Sequence, residues 1–196
     1  MPPARRFDAV IFDMDGTLIE PLLDFQAIRT DLGIPPGQGI LEALDGLSAN
    51  DREDGHRRLL GHELAAAREA RLMPNAVEAL AMVRAAGLKT ALLTRNAAEA
   101  MRIVLDRFPQ LAFDLAWSRE DGPIKPEPDG VLRACVRLGA VPERTACVGD
   151  FRYDIVAAKE AGAVAVLLAP GEPPDFASEA DCVIADLLDL RSVLGL

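Results

Sequence analysis

The sequence predicts an α/β fold, with a doubly wound parallel sheet and a small α-helical segment inserted into it. Three observations carry that expectation. Residues 9–12, 90–93, 146–148 and 163–168 are short runs that are apolar almost throughout, the pattern of strands covered on both faces of a parallel sheet. Helical patterns alternate with these runs over residues 75–196, as βαβ units require. Between the first run and the helix that follows Pro74 no convincing strand can be read, and a connection of that length needs structure of its own.

Each element follows from local signals. Residues 25–32 and 51–72 carry helical patterns, and Pro35, Pro36, Gly37 and Gly39 break the stretch between them. Residues 75–86 place Val77, Leu80, Ala81 and Val83 on one side and end at Gly87, a helix stop. Residues 96–108 repeat the pattern, with Asn96 as the candidate cap. Residues 128–138 and 151–161 end at Gly139 and Gly162, and a loop at 170–174 precedes a short strand near 182–185 and a terminal helix. The expected division is a Rossmann-like core of residues 1–19 and 73–196 and a small helical domain of residues 20–72.

The bulk numbers narrow the function classes. Half of the 196 residues are apolar and the formal net charge is −10. That balance argues against a nucleic-acid partner, which selects for a basic face. An anionic substrate would need a local basic pocket inside a repelling field. Cys135, Cys147 and Cys182 lie in apolar surroundings with no CxxC spacing, as buried thiols of a reduced protein do. No apolar run approaches the ~20 residues of a membrane helix, and no signal-peptide pattern follows Met1. The expectation is a cytoplasmic protein with no membrane partner. Monomer and homodimer are both compatible with an apolar face on the inserted helices.

The chemistry-bearing residues sit at strand ends, where α/β sheets bind ligands. The first strand runs into Asp13-Met14-Asp15-Gly16-Thr17-Leu18. Two carboxylates so close are costly unless a cation joins them, and their hard oxygens are the ligands Mg²⁺ prefers. The second strand ends in Leu93-Thr94-Arg95-Asn96. A hydroxyl followed by amides at a helix start suits an oxyanion, so Thr94 and Arg95 are candidate phosphate-binding residues, although Thr94 or Asn96 alone reads as a helix cap. Lys125 lies between prolines in Ile124-Lys125-Pro126-Glu127-Pro128, where it can neutralise a phosphate as a compact cation. The strand run at 146–148 ends in Val148-Gly149-Asp150, with Asp154 four residues on. Acids at a helix start are ordinary by themselves. The order of all four motifs, each at a strand end, is what makes them specific.

On these residues the chain resembles the haloacid dehalogenase-like superfamily, in its phosphoglycolate-phosphatase-like branch. The match rests on Asp13-Met14-Asp15-Gly16-Thr17-Leu18, Thr94, Lys125, and Gly149-Asp150 with Asp154, and the helical segment sits where this branch carries its cap. The resemblance implies a Mg²⁺-dependent phosphatase. Asp13 would attack phosphorus to form an aspartyl-phosphate, and Asp15 would protonate the leaving oxygen and then activate water. Asp150 would bind Mg²⁺ with Asp13 and the Asp15 main-chain carbonyl, Asp154 would support the metal, and Thr94 and Lys125 would hold phosphoryl oxygens. A carboxylate nucleophile needs no base to activate it, and an alkoxide leaving group makes an acid at Asp15 valuable, typically by ~10²–10⁴ in rate.

A small-molecule phosphate monoester, phosphoglycolate-like or a sugar phosphate, is the expected substrate. A sugar phosphomutase needs a cap that retains its intermediate, which a short cap disfavours. A non-catalytic regulator could dispense with catalytic groups that this chain keeps. Within residues 20–72, Arg29 is the expected reader of a second anionic group on the substrate. The other basic residues there, interleaved with Glu53, Asp54, Glu63 and Glu69, read as a solvated helix surface.

Overall fold

The structure, a computed structural model, describes residues 7–196. Six parallel strands form one sheet in the order β3-β2-β1-β4-β5-β6. They are β1 (Ala9–Phe12), β2 (Lys89–Leu93), β3 (Leu115–Trp117), β4 (Thr145–Gly149), β5 (Val164–Leu168) and β6 (Cys182–Ile184). The helices are α1 (Phe25–Leu32), α2 (Ile40–Asp45), α3 (Ala49–Glu69), α4 (Ala76–Ala85), α5 (Ala98–Arg107), α6 (Asp129–Leu138), α7 (Arg152–Ala161) and α8 (Leu190–Leu194). No helix among the described residues is long and apolar enough to cross a membrane.

Strand β1 is the pivot of this topology. It pairs with β2 on one side and β4 on the other, with Phe12 opposite both Leu92 and Val148. The chain winds outward from β1 in both directions, so the crevice beyond its carboxyl end is where ligands of doubly wound sheets sit. All four β1 residues are buried. Val10 and Phe12 pack into a cluster with Leu80, Val83, Leu92 and Val148. Ile11 faces the other layer with Leu93, Val131, Cys147 and Ile155. Apolar residues at every position of β1 are what two covered faces require.

Two elements depart from the sequence expectation. Strand β3 was not legible, because it is three residues long, sits at the sheet edge and is only partly buried. Helix α2 falls in the stretch read as broken. It follows Gly39 without a side-chain cap, and its buried Ile40, Leu41 and Leu44 reveal that packing rather than propensity holds it. These residues form a separate apolar cluster with Ile28, Ile34 and Leu59.

Helices α1 and α2 pack on α3, and α3 packs on α5. The chain departs for these helices and returns from them side by side. Glu20 N–H donates to the Arg71 carbonyl at 2.8 Å and Met73 N–H to the Leu18 carbonyl at 2.9 Å. Ser48 caps α3 by accepting from Asp51 N–H.

Phe12 is fully buried one residue before Asp13. Phe12→Ala should destabilise the fold by about 3–5 kcal/mol, read as a lowered urea midpoint. An unchanged midpoint would mean that this packing contributes little.

Candidate active site

Three carboxylates converge beyond β1 and β4. Asp13 N–H donates to the Val148 carbonyl at 2.8 Å, which extends the β1–β4 ladder by one residue and fixes the Asp13 backbone. The chain then turns tightly, with Leu18 and Ile19 N–H groups on the Met14 carbonyl at 2.9 and 3.0 Å. Buried Met14 and Leu18 anchor this turn in the core. Gly16 has φ +81, and a Cβ there would stand 2.1 Å from Asp150 Oδ2. A Cβ on Gly149 would stand 2.2 Å from Asp154 Cγ. Glycine at both positions is what allows the acids to approach. One oxygen from each of Asp13, Asp150 and Asp154 lies within 4.8 Å of the others.

Lys125 enters this cluster from the loop between β3 and α6. Its ammonium donates to Asp13 Oδ1 and, at 2.6 Å, to Asp154 Oδ1. Burial alone would favour the neutral amine, but the charges of Asp13 and Asp154 outweigh it and hold Lys125 protonated. Asp154 is oriented from its own helix start, where its Oδ2 accepts from Phe151 N–H at 3.1 Å.

The acids differ in proton affinity. Burial pushes Asp13 up to about 6, against the opposing pull of Lys125. Burial, Asp13 and Glu63 push Asp15 to about 7. Burial, then the charges of Asp13 and Asp154, push Asp150 to about 8. An all-oxygen donor set that repels itself this strongly fits a small, hard divalent cation, which would let Asp150 ionise at neutral pH. Thr94, directly after β2, is buried, and its Oγ1 accepts from Asn96 N–H at 3.1 Å. Asn96 Nδ2 donates to Asp15 Oδ2 at 2.8 Å.

A family model for haloacid dehalogenase-like hydrolases matches residues 38–162. A haloacid dehalogenase-like hydrolase domain-containing protein of Arabidopsis thaliana is 31% identical, over 94% of this chain and 84% of its own. The chain belongs to the haloacid dehalogenase-like hydrolase family. A phosphoglycolate phosphatase of Chromobacterium violaceum is 28% identical over 97% of each chain. The solved structure of a hydrolase from Pseudomonas syringae superposes with a TM-score of 0.79 at 24% identity, over 96% of this chain and 98% of that one, which establishes the shared fold. The family makes the protein a hydrolase.

In this haloacid dehalogenase-like hydrolase the two arginines singled out from sequence lie apart. The Arg95 guanidinium sits at the β2 tip, 4.6 Å from the Tyr153 ring centroid, donating to the Lys125 carbonyl and to Glu42 Oε1 of α2 at 2.7 Å. Arg29 instead donates to the carbonyls of Pro35, at 3.3 Å, and Gln38, closing the loop between α1 and α2. The structure does not bring it to the carboxylate cluster.

Two further readings are corrected. Asn96 is not the cap of α5: that position is Ala97, and the Asn96 side chain is spent on Asp15. Glu63 is not on a solvated surface. It is 3% exposed, pairs with Arg119, and accepts from Ala97 N–H at 3.2 Å. Arg119 was not legible as a functional candidate, since its partner lies in another segment of the chain.

The raised acids make stability depend on pH. Asp13, Asp15 and Asp150 hold protons in the folded chain well above the 3.8 of an ordinary aspartate, and Glu63 is shifted upward too, chiefly by burial. Between roughly pH 4 and 8 the folded state therefore binds more protons than the unfolded one, so stability falls as pH rises. His56, shifted downward by burial and by Arg119, opposes this as a single group. Thermal melts in chelator should give a lower Tm at pH 8 than at pH 5. A Tm that rises across that range would contradict the electrostatics described.

Proposed function

We propose that this hydrolase is a Mg²⁺-dependent phosphatase of small-molecule phosphate monoesters, phosphoglycolate-like or sugar phosphate, acting through an aspartyl-phosphate on Asp13. The observation that carries the reading is the geometry of one turn, in which Asp13 meets the Lys125 ammonium and Asp15 meets the Asn96 side-chain amide. Asp13 is paired with an ammonium group and has its pKa near 6, so it is mostly ionised at neutral pH. Asp15 faces a neutral amide and has its pKa near 7, so it holds and releases a proton there. Titratable neighbours whose environments push them apart are how a nucleophile and an acid–base group coexist.

An Asp13 carboxylate oxygen forms a bond to phosphorus as the ester P–O bond breaks, and the electron pair of that bond stays on the leaving oxygen. Protonated Asp15 gives its proton to that oxygen. Asp15, now a carboxylate, takes a proton from water as the water oxygen attacks phosphorus, releasing phosphate and restoring Asp13. Lys125 and Thr94 Oγ1 hold the phosphoryl oxygens, and Arg95 adds positive charge at the β2 tip. Asp13, Asp150 and the Asp15 main-chain carbonyl would hold Mg²⁺, with Asp154 in support, and the bound ion would offset the charge on the transferred group. Residues 20–72 act as a cap over the strand tips, excluding water and reading the leaving group. The likeness to phosphoglycolate phosphatases supports a small acidic ester.

Phosphate release from a panel of esters with Mg²⁺ should be seen with wild type and be lost, by at least ~10³-fold, in Asp13→Asn, which removes the nucleophile's charge at nearly constant shape. Release by a folded Asp13→Asn enzyme at the wild-type rate would sink the assignment. Chelation should silence the enzyme and added Mg²⁺ restore it. Full activity in excess chelator would remove the metal from the mechanism.

A further inference from the structure

We propose that Asn96 is the positioning residue for the Asp15 acid, braced from α3 by the buried Glu63–Arg119 pair. The inference rests on the phosphatase reading and goes beyond it. Asn96 is 8% exposed and is held at three points. Its N–H donates to Thr94 Oγ1 at 3.1 Å, its carbonyl accepts from Arg119 N–H at 3.1 Å, and its side-chain Nδ2 donates to Asp15 Oδ2 at 2.8 Å. A side chain fixed at both ends of its own backbone can direct its partner.

The chemistry of the contact suits an acid. The Asn96 amide donates to one carboxyl oxygen of Asp15 and so fixes the direction of the other. Among the described residues, Asp15 Oδ1 has no hydrogen-bond donor, so that oxygen is left to carry the proton toward the leaving group. A lysine or arginine in the place of Asn96 would orient Asp15 equally well but would favour the carboxylate.

The brace comes from a separate segment of the chain. Glu63 Oε2 on α3 accepts from the N–H of Ala97, the residue after Asn96, at 3.2 Å. Glu63 Oε1 accepts from Arg119, whose guanidinium also reaches the Arg95 carbonyl at 3.4 Å. Side-chain exposures of 11% for Arg119 and 3% for Glu63 mark this as a desolvated pair. Removal of one partner from such a pair leaves an uncompensated charge, so the pair holds the 94–97 loop and α3 in one register. The position of α3 is thereby relayed to the acid.

An acid matters most when the leaving group is poor, which separates positioning from a merely structural role. The test compares kcat/KM for an alkyl phosphate with kcat/KM for 2,4-dinitrophenyl phosphate, whose phenolate departs without protonation. This constant ends with departure of the leaving group, so later hydrolysis of the phosphoenzyme does not enter it. Asn96→Ala, and Asn96→Leu with the same heavy-atom branching, should lose about 10- to 100-fold on the alkyl ester, part of the ~10²–10⁴ an acid contributes, and less than about 3-fold on the dinitrophenyl ester. Glu63→Gln, which keeps the shape and the acceptor for Ala97, should shift the ratio in the same direction by a smaller factor. Equal losses on both esters, or none on either, would overturn the role of Asn96, and a wild-type ratio in Glu63→Gln would remove the brace. If both Asn96 variants fail to fold by circular dichroism, the Glu63→Gln ratio decides. Asp15→Asn is the reference: a flat response there, or a wild type that cleaves neither ester, would overturn the phosphatase reading itself.

Discussion

Repulsion between like charges is the constraint around which this molecule is arranged. Asp13, Asp150 and Asp154 are brought within a few ångströms by backbone geometry, through the β1–β4 register and the two glycines that admit the carboxylates. Nothing in that geometry relieves the Coulomb cost. Lys125 relieves part of it, and Asp150 is pushed upward first by burial and then by the charges of Asp13 and Asp154. A site left with unbalanced negative charge attracts cations, and in a chain of net charge −10 it cannot rely on long-range steering to attract an anionic ester. Local cations must do that at short range.

The same cluster depends on the packing of the strand that carries it. A buried set of charges tolerates little error in position, since energies in a low-dielectric site change steeply with distance. Strand β1 has no exposed residue and is packed from both layers. The turn after it is pinned by Met14 and Leu18 rather than left as a free loop. Rigid support at this point is what holds Asp13 on Lys125 and Asp15 on Asn96 although only one residue separates them.

Legibility in the sequence followed the range of the interactions. Asp13 and Asp15 could be read because one strand and one turn place them, all within a few residues. Thr94, Lys125, Asp150 and Asp154 were individually ambiguous and became readable through their order along the chain, although Lys125 comes from the loop between β3 and α6 rather than from a strand end. Asn96 was misread because an asparagine before a helix looks the same whether it caps that helix or reaches across to β1. Glu63 was misread because its partner Arg119 lies 56 residues away and only tertiary packing buries it. The edge strand β3 and the helix α2 were missed for the same reason: both exist through what they pack against, not through their own propensity.

The paired departure and return of the chain at Leu18–Glu20 and Arg71–Met73 has an evolutionary consequence. Because the excursion begins and ends at neighbouring points, its length and content can change without moving any strand of the sheet. The helical excursion and the sheet can then change at separate rates. The Glu63–Arg119 pair is the limit on that freedom, since a replacement module that omitted it would have to find another way to seat the loop behind Thr94.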